Sequence, residues 1–187
     1  MTIARVPSTY TSSVPLASPF KSVRQEEHIY TLSDEWFIRE DVVAHRHQIE
    51  HVLVSNRGVF ALFSQKRSGA LQQNGEQFFV GGERQDHAIQ QAWHVSQALE
   101  ALVGTRVYPV LVYPELSNPS TEAVSAVGRR GYTAEAAEAP VQSHWKIQGT
   151  LVTSWEHLPQ ALEKVWSKAF QWKDVCLLAR KVRLLNR

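Results

Sequence analysis

Gln48–Gly69, QIEHVLVSNRGVFALFSQKRSG, reads as two β-strands joined by a tight turn. Val52-Leu53-Val54 is one apolar run, and Val59-Phe60-Ala61-Leu62-Phe63 is a second, rich in β-favouring side chains. Between them Ser55-Asn56-Arg57-Gly58 has turn composition, with Gly58 suited to a positive φ.

Further strands are expected on both sides of this pair. Trp36–Ala44 precedes it. Ala70–Gln73 and Gln77–Val80 follow, flanking the hairpin signal Asn74-Gly75. Gly81-Gly82 is expected to break the sheet, and Asp86 to cap a helix running to about Val103. Ile89, Ala92, Trp93, Ser96, Leu99 and Val103 form that helix's inner stripe. Arg106–Tyr113 is an apolar strand stopped by Pro114, and Trp145–Val152 supplies another strand. Thr153-Ser154-Trp155-Glu156 has capping-box spacing for a helix through about Ala169, and Gln171–Leu185 forms the last helix. A short helix is expected at 25–32. The fold class is therefore α/β: a central mixed β-sheet, made of a strand meander plus crossover strands, flanked by helices.

Three regions follow from the composition shifts. Residues 1–24, rich in Ser, Thr and Pro, read as a flexible arm. Residues 25–170 hold the α/β domain, with 116–140 as a surface excursion, and residues 171–187 form a basic C-terminal helix. The arm has no continuous apolar stretch, so a secretory signal is not expected; an organelle transit peptide is the alternative.

At 187 residues and 43% hydrophobic content the chain can bury a core of its own. A net charge of +2 gives no global field that demands nucleic acid, so any DNA contact must come from local patches. One cysteine, Cys176, excludes an internal disulfide framework and a Cys-based zinc site, and it reads as packed in an apolar helix turn. No window is long and apolar enough for a membrane helix. A cytoplasmic or nucleoid-associated location is expected.

The 48–69 stretch resembles the nuclease-related domain, NERD, a branch of the PD-(D/E)XK nuclease superfamily. That family's pattern runs Ile-Asp-His, an apolar run, Gly-x-x-Gly-Val-Phe, then Glu-x-Lys and a final Gly. Ile49, His51, Gly58, Val59, Phe60 and Gly69 match it without a gap. The resemblance implies a restriction-endonuclease-like sheet and phosphodiester chemistry with Mg²⁺ or Mn²⁺. It covers roughly residues 26–115. Glu50 falls on the family's Asp, Phe63 on its Glu and Gln65 on its Lys. Glu50 can still ligate a metal, Phe63 cannot, and Gln65 can only orient water through its amide. Gln90 matches a Gln the family carries near its active site at the start of the following helix. Glu50, Gln65 and Gln90 are thus the candidate catalytic positions, and Glu50 the candidate metal ligand.

A relocated carboxylate from Glu40, Asp41, Glu76 or Glu83 would restore a metal site. His45, His47 and His51 around Glu50 offer a second, zinc-like possibility. Lys66 and Arg67 follow the second core strand, and Arg180, Lys181, Arg183 and Arg187 lie outside the apolar stripe of the last helix. These six are the candidate phosphate contacts. The expected function is sequence-independent DNA binding, single-stranded or duplex, in repair or processing, without strong cleavage. The alternatives are an active Mg²⁺/Mn²⁺ nuclease and a protein-interaction module with a protein partner.

Overall fold

The computed structural model describes residues 26–75, 77–117, 143–165 and 169–185. Residues 1–24, most of 116–140, Arg129, Arg130, Trp166, Lys168 and Arg187 lie outside the described residues. After a 3-10 turn at Glu26–Thr31, the strands begin with β1 (Phe37–Ala44), β2 (His47–Ser55) and β3 (Gly58–Ser64). Next come β4 (Gly69–Asn74), β5 (Gln77–Val80) and β6 (Glu83–Arg84). Helix α1 (Asp86–Val103) leads to β7 (Val107–Tyr113) and β8 (Leu116–Ser117). The chain then forms β9 (His144–Ile147), β10 (Thr150–Ser154), α2 (Leu158–Val165) and α3 (Trp172–Leu184).

β2 and β3 are the hairpin expected from the two apolar runs, with Leu53 opposite Phe60 and Val54 opposite Val59. Gly58 takes φ 152°, and a Cβ there would lie 3.2 Å from the Tyr108 ring, so glycine suits the turn by both conformation and space. β1 pairs antiparallel with β2, whereas β7 runs parallel to β3 and β10 parallel to β7. The resulting order, β1-β2-β3-β7-β10-β9, is a mixed six-stranded sheet. The connection from β3 to parallel β7 needs a crossover, and α1 supplies it.

Both faces of this sheet are covered. On one, Val52, Val54 and Val59 pack with Val95, Leu99 and Val103 of α1 and Val175, Leu178 and Val182 of α3. On the other, Leu53, Phe60, Leu62 and Val110 pack with Ile29, Trp36, Leu158 and Leu162. The alternation of Val52, Leu53 and Val54 between the two cores follows from the two-residue strand period. β4 and β5 do not extend the main sheet. They join β6 and β8 in a second one, ordered β6-β5-β4-β8, whose Leu71, Phe78 and Val80 close a third core with Ile89 and Tyr113.

Several boundaries differ from expectation. Gly81-Gly82 turns the chain rather than ending the sheet: with φ 58° and 80° the two residues let β6 pair back on β5. Trp145–Val152 is split into β9 and β10 by Gln148-Gly149, both at positive φ. Thr153 and Ser154 do not start a helix. Pairing with β7 holds them in β10, and Thr153 Oγ1 donates to the Ser143 carbonyl at 3.0 Å. Asp86 is the first residue of α1, and its carboxylate accepts from the Phe78 N–H at 2.8 Å and from Arg84, so Gln85 takes the cap position. On α1 Val95 joins Ile89, Ala92, Ser96, Leu99 and Val103 as buried, and Trp93 of the expected stripe is only half-buried. Cys176 is exposed, because burial of Val175, Leu178 and Val182 turns it to solvent.

Candidate functional site

Glu50 opens the site. At the register position opposite it, Asp41 takes φ 52° and accepts from Gln48 Nε2 at 3.0 Å. The β1–β2 pairing continues past this point, yet Val42, Ala44 and Ile49 join the same core as Val52 and Val54, out of step with simple alternation. The hairpin changes face beside Glu50. As a result the three histidines separate. His47 meets His94 of α1 edge-on at 5.2 Å, whereas His51 is buried against Trp155 on the opposite core. His45 lies at φ 56° in the β1–β2 turn.

Glu50 lines a cleft of about 740 Å³ together with Phe63, Gln65, Lys66 and Arg67 from the end of β3. Glu83 and Arg84 of β6 and His87 and Gln91 of α1 complete the opposite wall. Glu50 Oε2 accepts the Ser64 N–H at 3.2 Å, which ties β2 to the last residue of β3. Gln65 continues the ladder: its N–H donates to the Val112 carbonyl at 2.7 Å, and its Nε2 to the Phe63 carbonyl at 3.4 Å. Phe63 is half-buried and packs against two of the three cores while still lining the cleft. Arg67 is ion-paired with Glu83, both about half exposed. An exposed pair of this kind contributes roughly 0–1 kcal/mol, so either partner exchanges readily for another charge.

A divalent cation of the kind the resemblance implies would find two carboxylates in the cleft lining, Glu50 and Glu83. Hard cations need several converging oxygen ligands. Here the position of the family's second acid carries a phenyl ring. Glu50 is engaged with Ser64, and Glu83 with Arg67. Among the described residues no group of three or more His, Cys, Asp or Glu forms a metal-holding cluster.

Of the candidate catalytic positions, Glu50 and Gln65 share the cleft. Gln90 lines neighbouring hollows with Arg84 and Asp86, and Gln91 faces the cleft in its stead. Lys66 and Arg67 stand at the cleft, exposed. Arg180, Lys181 and Arg183 are exposed on α3, where Lys181 Nζ donates to the Val103 carbonyl at the end of α1, 2.7 Å away. The cleft and Lys181 therefore mark opposite ends of α1. Gln91 and Val103 are about 18 Å apart at 1.5 Å per residue. Sequence reading missed Gln48, Gln85, His87 and Gln91 as lining residues, and of the relocated carboxylates it considered, Glu83 is the one in the cleft lining. Gln48 was findable, since it sits two residues before Glu50 on the same strand.

Asp86, next to the cleft, is held below the usual carboxylate range first by its hydrogen bond from Arg84 and then by the Phe78 N–H. Elsewhere, burial beside β10 pushes the His144 imidazole down, aided by Lys164 and His157.

Of the tryptophans, Trp36 and Trp155 are buried, Trp93 and Trp145 half-buried, and Trp172 exposed on α3.

Among comparisons with known proteins, the family described as nuclease-related domain, NERD, matches residues 21–114, half of the chain. No curated protein matches it. A solved structure, the crystal structure of a repair endonuclease from Pyrococcus abyssi, is similar at 19% identity over 42% of this chain and 29% of that chain, with a TM-score of 0.29. The chain thus spans less than a third of that enzyme's length. No helix among the described residues is long and apolar enough to cross a membrane.

Proposed function

Because the chain belongs to the nuclease-related domain family, we propose that it is a DNA-binding protein of DNA repair or processing whose nuclease-like cleft grips DNA without strong cleavage. One observation carries this reading. Phe63 and Gln65, at the family's Glu and Lys positions, line the same cleft as Glu50, with Lys66 and Arg67 beside them. The groups that would hold metal and activate water are replaced, while cations able to meet phosphate remain.

The outer surface of α1 supports a longer contact. Its exposed Gln90, Gln91, His94 and Gln97 lead from the cleft toward the α3 end, where Arg180, Lys181 and Arg183 stand, and the acid on this stretch, half-buried Glu100, accepts from the Val107 N–H. A separation of about 18 Å corresponds to roughly five base-pair steps at 3.4 Å each. Phosphate contacts of this kind give affinity without reading sequence. Arg187, a further candidate contact, lies outside the described residues.

The test is incubation of the purified chain with end-labelled single-stranded, duplex and tailed DNA, with Mg²⁺, Mn²⁺ or chelator, resolved on a denaturing gel. Bound but intact DNA is the expected result. Metal-dependent scission abolished by Glu50→Ala would overturn the reading and point to a relocated carboxylate, Glu83 being the one that shares the cleft with Glu50.

A further inference from the structure

Four side chains lining the Glu50 cleft are glutamines: Gln48, Gln65, Gln85 and Gln91. A phosphate-gripping surface has no need of them. Each primary amide offers a carbonyl acceptor and an NH₂ donor, the complementary pair that an exposed nucleobase edge requires. Gln48 commits its Nε2 to Asp41 and Gln65 its Nε2 to the Phe63 carbonyl, so both keep an amide oxygen as acceptor. Phe63 adds an aromatic wall held in place by two cores, and Lys66 and Arg67 stand beside it for a phosphate. The volume of about 740 Å³ lies in the range of small-molecule sites and admits a nucleotide.

Paired bases keep their Watson–Crick edges and ring faces inside the duplex. An unpaired or flipped base can present them to a pocket. We propose that the cleft binds one unpaired nucleobase of a single strand, with the glutamine amides on the base edge, Phe63 against the ring, and Lys66 and Arg67 on the adjoining phosphate. Replacement of a carboxylate by Phe63 and of a cation by Gln65 turns a metal-binding cleft into a base-binding one. This inference rests on the DNA-binding reading and assigns its substrate class.

The experiment compares the full chain's affinity for two fluorescent single strands of equal length and phosphate count. One bears thymine bases, and the other bears tetrahydrofuran abasic residues throughout. The base-bearing strand is expected to bind about tenfold more tightly, the size of one base contact. Gln48→Ala combined with Gln91→Ala should bring it down to the abasic level. Both residues are exposed, so the fold should tolerate the pair. Equal affinity for the two strands overturns the base pocket and leaves the DNA-binding reading standing. A base preference untouched by the double substitution also overturns it, because the base then sits elsewhere. Failure to bind either strand overturns the base pocket, and overturns the DNA-binding reading as well when a duplex of the same length is also left unbound.

Discussion

Phe63 and Asp86 show how single residues define this cleft. A phenyl ring at position 63 belongs to the packing as much as to the cleft, because it touches two cores. A carboxylate at the same half-buried place would face Glu50 as a like charge, with Lys66 and Arg67 of the same cleft as the available counter-charges. Asp86 contributes differently. It fastens β5 to the start of α1 by accepting the Phe78 N–H, and it pairs with Arg84. Its lowered folded pKa means that its stabilisation is present above the ordinary carboxylate range and lost as pH falls through the lowered value. Asp86→Asn should therefore lower the urea midpoint near about pH 7, and the gap to the unmodified chain should shrink at an acid pH below the ordinary carboxylate range. Parallel urea curves at the two pH values check this; an undiminished gap at low pH would show that the carboxylate charge is not the cause.

At the scale of elements, α3 illustrates a side chain with two possible uses. Lys181 is one of the candidate phosphate contacts, yet its ammonium donates to the Val103 carbonyl where α1 ends. A cation at a helix C-terminus satisfies an orphan carbonyl and complements the helix dipole. Lys181→Met is expected to destabilise the fold by about 1 kcal/mol, read from urea unfolding, while Arg183→Ala, on an exposed position, should leave stability within about 0.5 kcal/mol. Equal stability of both variants would remove the capping role.

The strands carrying the 48–69 stretch were legible because their apolar runs and the Gly58 turn agree with one another. The β4–β5 hairpin was legible from Asn74-Gly75. What the sequence hid are the features set by tertiary pairing. β10 holds Thr153 and Ser154 against β7 and overrides their capping pattern. The split at Gln148-Gly149 depends on β10 folding back on β9. In the site, Glu50 and Gln65 were found through the family resemblance, which laid the catalytic pattern on the two strands. Gln90 was chosen on the family match, and since Gln90 and Gln91 both lie on the exposed side of the α1 stripe, the helical period alone does not say which of them faces the cleft. Glu83 belongs to a two-residue strand that carries no periodic signal of its own.

For the whole molecule, the mixed sheet sets two basic regions at the ends of one helix. Lys66 and Arg67 stand at the cleft near the start of α1, and Arg180, Lys181 and Arg183 ride on α3 beside its end. A net charge of +2 is too small for binding by global attraction, so affinity has to come from these local contacts. The most direct measurement is the dependence of DNA affinity on salt, by fluorescence anisotropy, for the unmodified chain and for Lys66→Ala. The account predicts that log affinity falls linearly with log salt, and that Lys66→Ala makes the slope shallower by about 0.7 to 0.9, the release of one counterion. A flat salt dependence, or no binding even at low salt, would contradict it.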